Sequence, residues 1–131
     1  MDKYREYRTN APKGAHNDCT IVALGLLCNI PYLDAFAAGE LVGRKYNHGL
    51  TVPAVLKMFE ILDTPLCKID DDRLYNDNGN RLTCRSVGRY FGDGRYLVLL
   101  RAHALALIDG QVEDWTKGRC HRIESMYRIG A

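Results

Sequence analysis

The sequence predicts an α+β fold, with N-terminal helices around a buried helix and a C-terminal antiparallel β-meander. Three observations lead there. The run from Cys19 to Cys28, CTIVALGLLC, is apolar on nearly every side, as a helix in the middle of a core is. Val52, Val55, Leu56 and Phe59 recur at i, i+3, i+4 and i+7, the stripe of a helix with one buried face. From Tyr96 onward the apolar residues gather into short β-type runs, two of them separated by Asp109-Gly110, a strong two-residue hairpin signal. Helices that precede the strands, rather than alternating with them, fit α+β and not a βαβ succession.

Each element follows from local chemistry. Residues 1–16 read as an irregular or extended lead-in that ends in Pro12-Lys13-Gly14. Asn17 or Asp18 supplies the N-cap of the helix at Cys19, since either side chain accepts hydrogen bonds from first-turn amides. Asn29 ends that helix, and Pro31 falls in the first turn of the next, which runs to about Val42 and closes near Gly43. Asn47-His48-Gly49 reads as a turn. Thr51 then caps a third helix with Pro53 in its first turn. Leu66 to Ile69 is a short strand, Asp70-Asp71-Asp72 a solvated face or turn, and Tyr75 to Arg81 an exposed loop. Thr83 caps a short fourth helix carrying Val87, Tyr90 and Phe91, stopped by Gly92-Asp93-Gly94. Strands are expected at Tyr96–Leu100, His103–Ile108, Gln111–Trp115 and Ile123–Ile129. The helical part therefore spans about 17–91 and the β part about 95–129.

Composition narrows the function classes. With 131 residues the chain is long enough for one ordinary domain and too short for two. Lys and Arg number 18 against 16 Asp and Glu, a net charge of +2, so no strong positive field exists to capture nucleic acid. Hydrophobic content of 47% excludes wholesale disorder. No run approaches the roughly 20 apolar residues of a membrane span, and Met1 to Lys13 carries no apolar stretch of the signal-peptide kind. A cytoplasmic location is expected. The five cysteines, Cys19, Cys28, Cys67, Cys84 and Cys120, form no C-x-x-C pair. An odd, scattered set without an export signal reads as reduced thiols.

Two of the residues stand out for chemistry. Cys19 opens a buried helix after His16-Asn17-Asp18, where unpaired amides and the helix dipole stabilise a thiolate. Its ordinary reading is a small buried hydrophobe. His103 is the polar residue of the run HALALI, and a histidine facing inward there needs a partner. Hairpin arithmetic offers one. With Asp109 and Gly110 as the two loop residues, Ile108 pairs with Gln111, Leu105 lies opposite Asp114, and His103 lies opposite Thr116. Residues 103, 105, 114 and 116 then share one face, with Asp114 diagonal to His103. A longer loop would change this register. If it holds, a base and its orienting acid are placed by local structure alone.

The order Cys19, His103, Asp114 resembles that of the papain-like cysteine peptidases, in which a cysteine opens a buried helix and a histidine and an Asn or Asp follow. Tyr96-Leu97-Val98, His103-Ala104, Asp109-Gly110 and Asp114-Trp115 are similar to the histidine half of compact bacterial and phage-encoded members. Asn17-Asp18-Cys19, with Ala23 on the following helix, is similar to their nucleophile half, and Gly43-Arg44-Lys45 to Gly49 to the segment joining the halves. The resemblance implies acyl transfer or hydrolysis at a peptide or isopeptide bond. Cys19 would be the nucleophile, His103 the base and Asp114 its orienter. The Cys19 amide and one side-chain donor would form the oxyanion hole. Many relatives place a Gln several residues before the cysteine; here no Gln precedes it and Lys13 stands six positions upstream. Asn17 or His16 is the substitute donor. Trp115 is expected either to shield the His–Asp pair from water or to be a core aromatic of the meander.

No cofactor is implied, and the expected partner is a peptide or protein substrate, not nucleic acid or a membrane. The alternatives are a catalytically idle domain of the same fold that binds or blocks a host protein, and a peptidoglycan amidase or peptidase. No metal site is assigned: His16-x-x-Cys19 with Cys120-His121 makes an awkward zinc set, because adjacent strand residues point to opposite faces. Cys28, Cys67 and Cys84 are expected at core or interior helix positions, and His48 in a loop or lining a cleft.

Overall fold

A computed structural model describes residues 3–45 and 49–130. Its helices are α1 (Lys3–Arg8), α2 (Cys19–Cys28), α3 (Tyr32–Leu41), α4 (Val52–Ile61) and α5 (Val87–Tyr90). Its strands are β1 (Leu66–Lys68), β2 (Arg95–Leu100), β3 (His103–Ile108), β4 (Gln111–Glu113) and β5 (Ser125–Ile129). The strands form one antiparallel sheet in the order β1-β5-β2-β3-β4. The α+β expectation therefore holds, while the simple meander does not. Only β2, β3 and β4 follow one another in space. After β4 the chain turns away, and β5 returns to pair with the other side of β2, next to β1 from the helical half.

Strand alternation divides the core in two. Leu97, Leu99, Ala104, Ala106 and Ile108 face α2, α3 and α4, joining Ile21, Leu24, Leu27 and Phe59. Tyr96, Val98, Leu100, Leu105 and Leu107 face the opposite way, where Leu74, Leu82, Val87, Phe91 and Ile123 cover them. The sheet is thus the middle layer, which is why β2 and β3 are buried over nearly their whole length. α2 lies along β3 and is buried on almost every side, as its all-round apolar sequence requires. Among the described residues no single helix is long and apolar enough to cross a membrane.

Several boundaries match their expected chemistry. Asn29 ends α2 in the left-handed conformation at φ 57°, which Asn tolerates better than most residues. Thr51 caps α4, its hydroxyl accepting the Ala54 N–H at 3.4 Å. Asp109 and Gly110, at φ 47° and 81°, make the two-residue turn that sets Ile108 opposite Gln111, Leu107 opposite Val112 and Ala106 opposite Glu113.

Other expectations need correction. Residues 3–8 are helical, not an irregular lead-in. A helix of six residues cannot stand alone, and this one is held by docking: the Tyr7 hydroxyl donates to the Ile30 carbonyl at 2.9 Å. The Tyr7 ring fills the space that a side chain at Gly25 would occupy. Pro31 is the N-cap of α3 and not a first-turn residue. Thr83 heads a turn, its carbonyl accepting the Val87 amide, and Ser86 is the residue that precedes α5. Asn47 and His48 lie outside the described residues.

Candidate active site

The start of α2 is built differently from a capped helix. Asp18 occupies the N-cap position, yet its carboxylate makes no capping hydrogen bond. Oδ2 instead accepts the Tyr32 hydroxyl at 2.7 Å, and Oδ1 pairs with Arg8 at 3.2 Å. The expected side-chain cap from Asp18 is therefore not formed, because α1 and α3 hold the carboxylate to the side. Drawing Asp18 away leaves the first-turn amides beside Cys19 without that cap and moves a negative charge off the helix end.

Cys19 is partly buried, its Sγ 3.9 Å from the Thr20 hydroxyl, and it lines one cleft together with His103 and Ala104, whose imidazole and N–H act on the thiol. His103 opens β3 directly after a tight turn, Arg101-Ala102, in which Ala102 takes φ 55°. Its Nε2 lies 2.7 Å from Asp114 Oδ2. Nδ1 is thus the ring nitrogen left for Cys19. The same Asp114 oxygen accepts the Thr116 hydroxyl at 2.7 Å and the Thr116 N–H at 3.2 Å. Cross-strand pairing stops at Ala106–Glu113, so the expected pairings of Leu105 with Asp114 and His103 with Thr116 are not formed. The chain turns at Asp114, and the diagonal His103–Asp114 contact is made from that turn.

The electrostatics follow from this geometry. Burial disfavours the protonated imidazole, but the hydrogen bonds to Asp114 and Cys19, and then their charges, outweigh it and push His103 up to about 9. Burial likewise pushes the Cys19 thiol up; the hydrogen bonds from His103 and the Ala104 N–H, the imidazolium charge and the Thr20 hydroxyl bring it below its ordinary value. Opposite shifts in two groups in contact favour a thiolate–imidazolium pair.

Trp115 is not a core aromatic. It is 49% exposed, and its ring centroid lies 5.3 Å from that of His103 at an interplanar angle of 54°. It therefore covers the imidazole from the solvent side. The rings of Trp115 and His121 meet edge-on at 5.6 Å, and the Arg119 guanidinium lies over the indole. On the other side, Cys19 and His103 form part of the wall of a cleft of about 320 Å³ that also includes Leu50, Val52, Val55 and Leu99.

The remaining candidates are placed less favourably. His16 and Asn17 are exposed, and neither lines this cleft. His16 Nδ1 lies 3.0 Å from the Gly14 carbonyl, and Arg44 donates to the carbonyls of both residues. Cys67 is exposed on edge strand β1, not interior as expected, because that three-residue strand covers little of the core. Cys28 is partly buried beside the Thr64 hydroxyl, Cys84 is buried and Cys120 is exposed. Asp71 pairs with Arg81 at 2.8 Å, and this guanidinium holds its carboxyl below the usual range. Among the described residues, no three His, Cys, Asp or Glu side chains gather as a metal site.

Sequence reasoning missed Arg8 and Tyr32, which hold Asp18, and the part Thr116 plays on Asp114. The Asp-x-Thr spacing was a usable signal, since such pairs close local side-chain turns. The chain matches no family model, no curated protein and no solved structure.

Proposed function

We propose that this chain is a papain-like cysteine hydrolase acting on a peptide or isopeptide bond. The observation that supports it most is the single imidazole shared between the Cys19 thiol and the Asp114 carboxylate, in a cleft wall at the N-terminus of a buried helix. Cys19 opens a buried helix and His103 a later strand, in the chain order Cys, His, Asp of the resemblance, and Asp114 reaches the imidazole from the bend after β4.

In the reaction the Cys19 thiolate attacks the substrate carbonyl, forming a C–S bond and an oxyanion. That oxyanion faces the amide of Cys19 at the head of α2, where an N–H without an intrahelical acceptor is available. His103 gives its proton to the departing amine as the C–N bond breaks. A water molecule then attacks the thioester; His103 takes its proton, the C–S bond breaks, and the thiolate and imidazolium are restored. Asp114 keeps Nε2–H occupied, so that Nδ1 carries the proton traffic.

Site-resolved alkylation by iodoacetamide tests the proposal. At about pH 6, Cys19 is expected to react fastest of the five thiols, and His103→Ala is expected to remove that advantage. If wild-type Cys19 behaves like the other four, the hydrolase reading fails.

A further inference from the structure

A second cavity, of about 650 Å³, lies beyond the Arg101-Ala102 turn from the Cys19 cleft. Leu100 lines both, so the two meet at the end of β2. Their chemistry differs sharply. The Cys19 side presents Leu50, Val52, Val55 and Leu99, whereas the second cavity presents Arg101, Arg122, His121 and Glu124 with Arg81. Arg81 is committed to Asp71 and to the carbonyls of Ile123 and Glu124. Arg101 and Arg122 are exposed, and among the described residues neither is paired with a carboxylate. Two guanidinium groups therefore stand against the one carboxylate of Glu124.

These groups sit on fixed backbone. Arg101 belongs to a two-residue turn. Arg122 forms a bridge with Thr83, and its neighbour Glu124 donates its N–H to the Leu99 carbonyl at 2.9 Å. Fixed attachment points keep both guanidinium groups within reach of one bound partner, and each exposed side chain is ordered when that partner arrives. The cavity is also tied to the catalytic imidazole, through His121 against Trp115 and Trp115 against His103. Resting on the hydrolase reading above, we infer that this cavity is a carboxylate-binding subsite: the substrate is a peptide with apolar residues on one side of the scissile bond and acidic residues on the other. Arg is suited to this role because its planar fork matches a carboxylate.

Protection of Cys19 from iodoacetamide tests the subsite without requiring turnover. Two short peptides with an apolar half and an Asp half, one in each order, are compared with Lys-substituted counterparts and with a short oligoribonucleotide. The expected result is that one Asp peptide slows Cys19 alkylation about fivefold more than its Lys counterpart, an exposed ion pair being worth up to about 1 kcal/mol. Arg101→Glu/Arg122→Glu should reverse that preference, and added salt should weaken it. Equal protection by Asp and Lys peptides overturns the inference, as does a preference unchanged in the double variant. Protection by the oligonucleotide alone overturns it in favour of a phosphate site. Because the rate without peptide reports Cys19 activation directly, a failure of the hydrolase reading is distinguished from a failure of the subsite.

Discussion

Replacing Asp114 by Asn removes one charge and leaves the shape of the side chain almost unchanged, which isolates what the carboxylate does for the imidazole. His103 titrates at about 9 instead of 6.5, although burial works in the opposite direction. At 1.36 kcal/mol for each factor of ten, this is a preference of about 3 kcal/mol for the protonated ring. Asp114 and Cys19 share it, and the Asp114 hydrogen bond is the largest of the raising influences. Losing the carboxylate should therefore remove a large part of that preference, on the order of 2 kcal/mol, and lower the thiolate–imidazolium population about tenfold. The assay is the rate of Cys19 alkylation across pH. At about pH 6 the variant should react about ten times more slowly than wild type, and near pH 10, where the thiol ionises without help, the two should converge. Stability gives a second readout with a fixed sign. A group raised from 6.5 to about 9 on folding stabilises the native state fully below 6.5, and this contribution is lost as pH rises through 9. Asp114→Asn should then lower Tm most in mildly acid solution and least above pH 9. Equal alkylation rates at pH 6 would refute the electrostatic role assigned to Asp114.

Other perturbations test neighbouring parts of the argument. Trp115→Ala uncovers the imidazole at 5.3 Å and should weaken the His103–Asp114 pair by admitting water; the early-pH advantage of Cys19 should shrink about three- to tenfold while Tm changes by little, since the indole is half exposed. Gly88→Ala would drive a methyl carbon onto the Gly110 carbonyl oxygen, a backbone atom in the β3–β4 turn. It should cost about 1–3 kcal/mol in denaturant unfolding and slow Cys19 alkylation as well, because that turn sets where Asp114 lies.

How far the sequence reveals this molecule depends on the range of the interactions involved. The Asp109-Gly110 turn and the register from Ile108–Gln111 to Ala106–Glu113 were readable, and they bring Asp114 near His103, but the contact itself is made from the bend after β4 and not by the expected pairing. α2 was readable because no other element accommodates ten residues of such uniform apolarity. By contrast, α1 has no local reason to fold; its helix depends on the fit of Tyr7 over Gly25, two positions that local periodicity does not connect. The return of β5 to β2 is equally invisible locally, since strand patterns record a buried face and not the identity of a neighbour. Asp18 has the residue type and position of an N-cap, and only the arrival of Arg8 and Tyr32 explains why it does not act as one. Trp115 failed as a core aromatic for a related reason. The strand stops at Glu113, so alternation no longer governs where the following side chains point.

One consequence concerns the order in which the site assembles. His103, Asp114 and Thr116 all belong to one hairpin and the turn that follows it, a segment whose contacts close over short loops. Contacts of this range close on the microsecond scale of hairpins. Cys19 reaches it only when α2 docks along β3, a contact between distant parts of the chain. Until that moment the thiol is an ordinary one, without imidazole or Ala104 amide beside it. Base and acid are therefore placed by one local unit, whereas an activated sulfur requires the long-range packing of α2 on β3. Pulsed alkylation during refolding would follow that docking step through Cys19 alone, using the site itself as the clock.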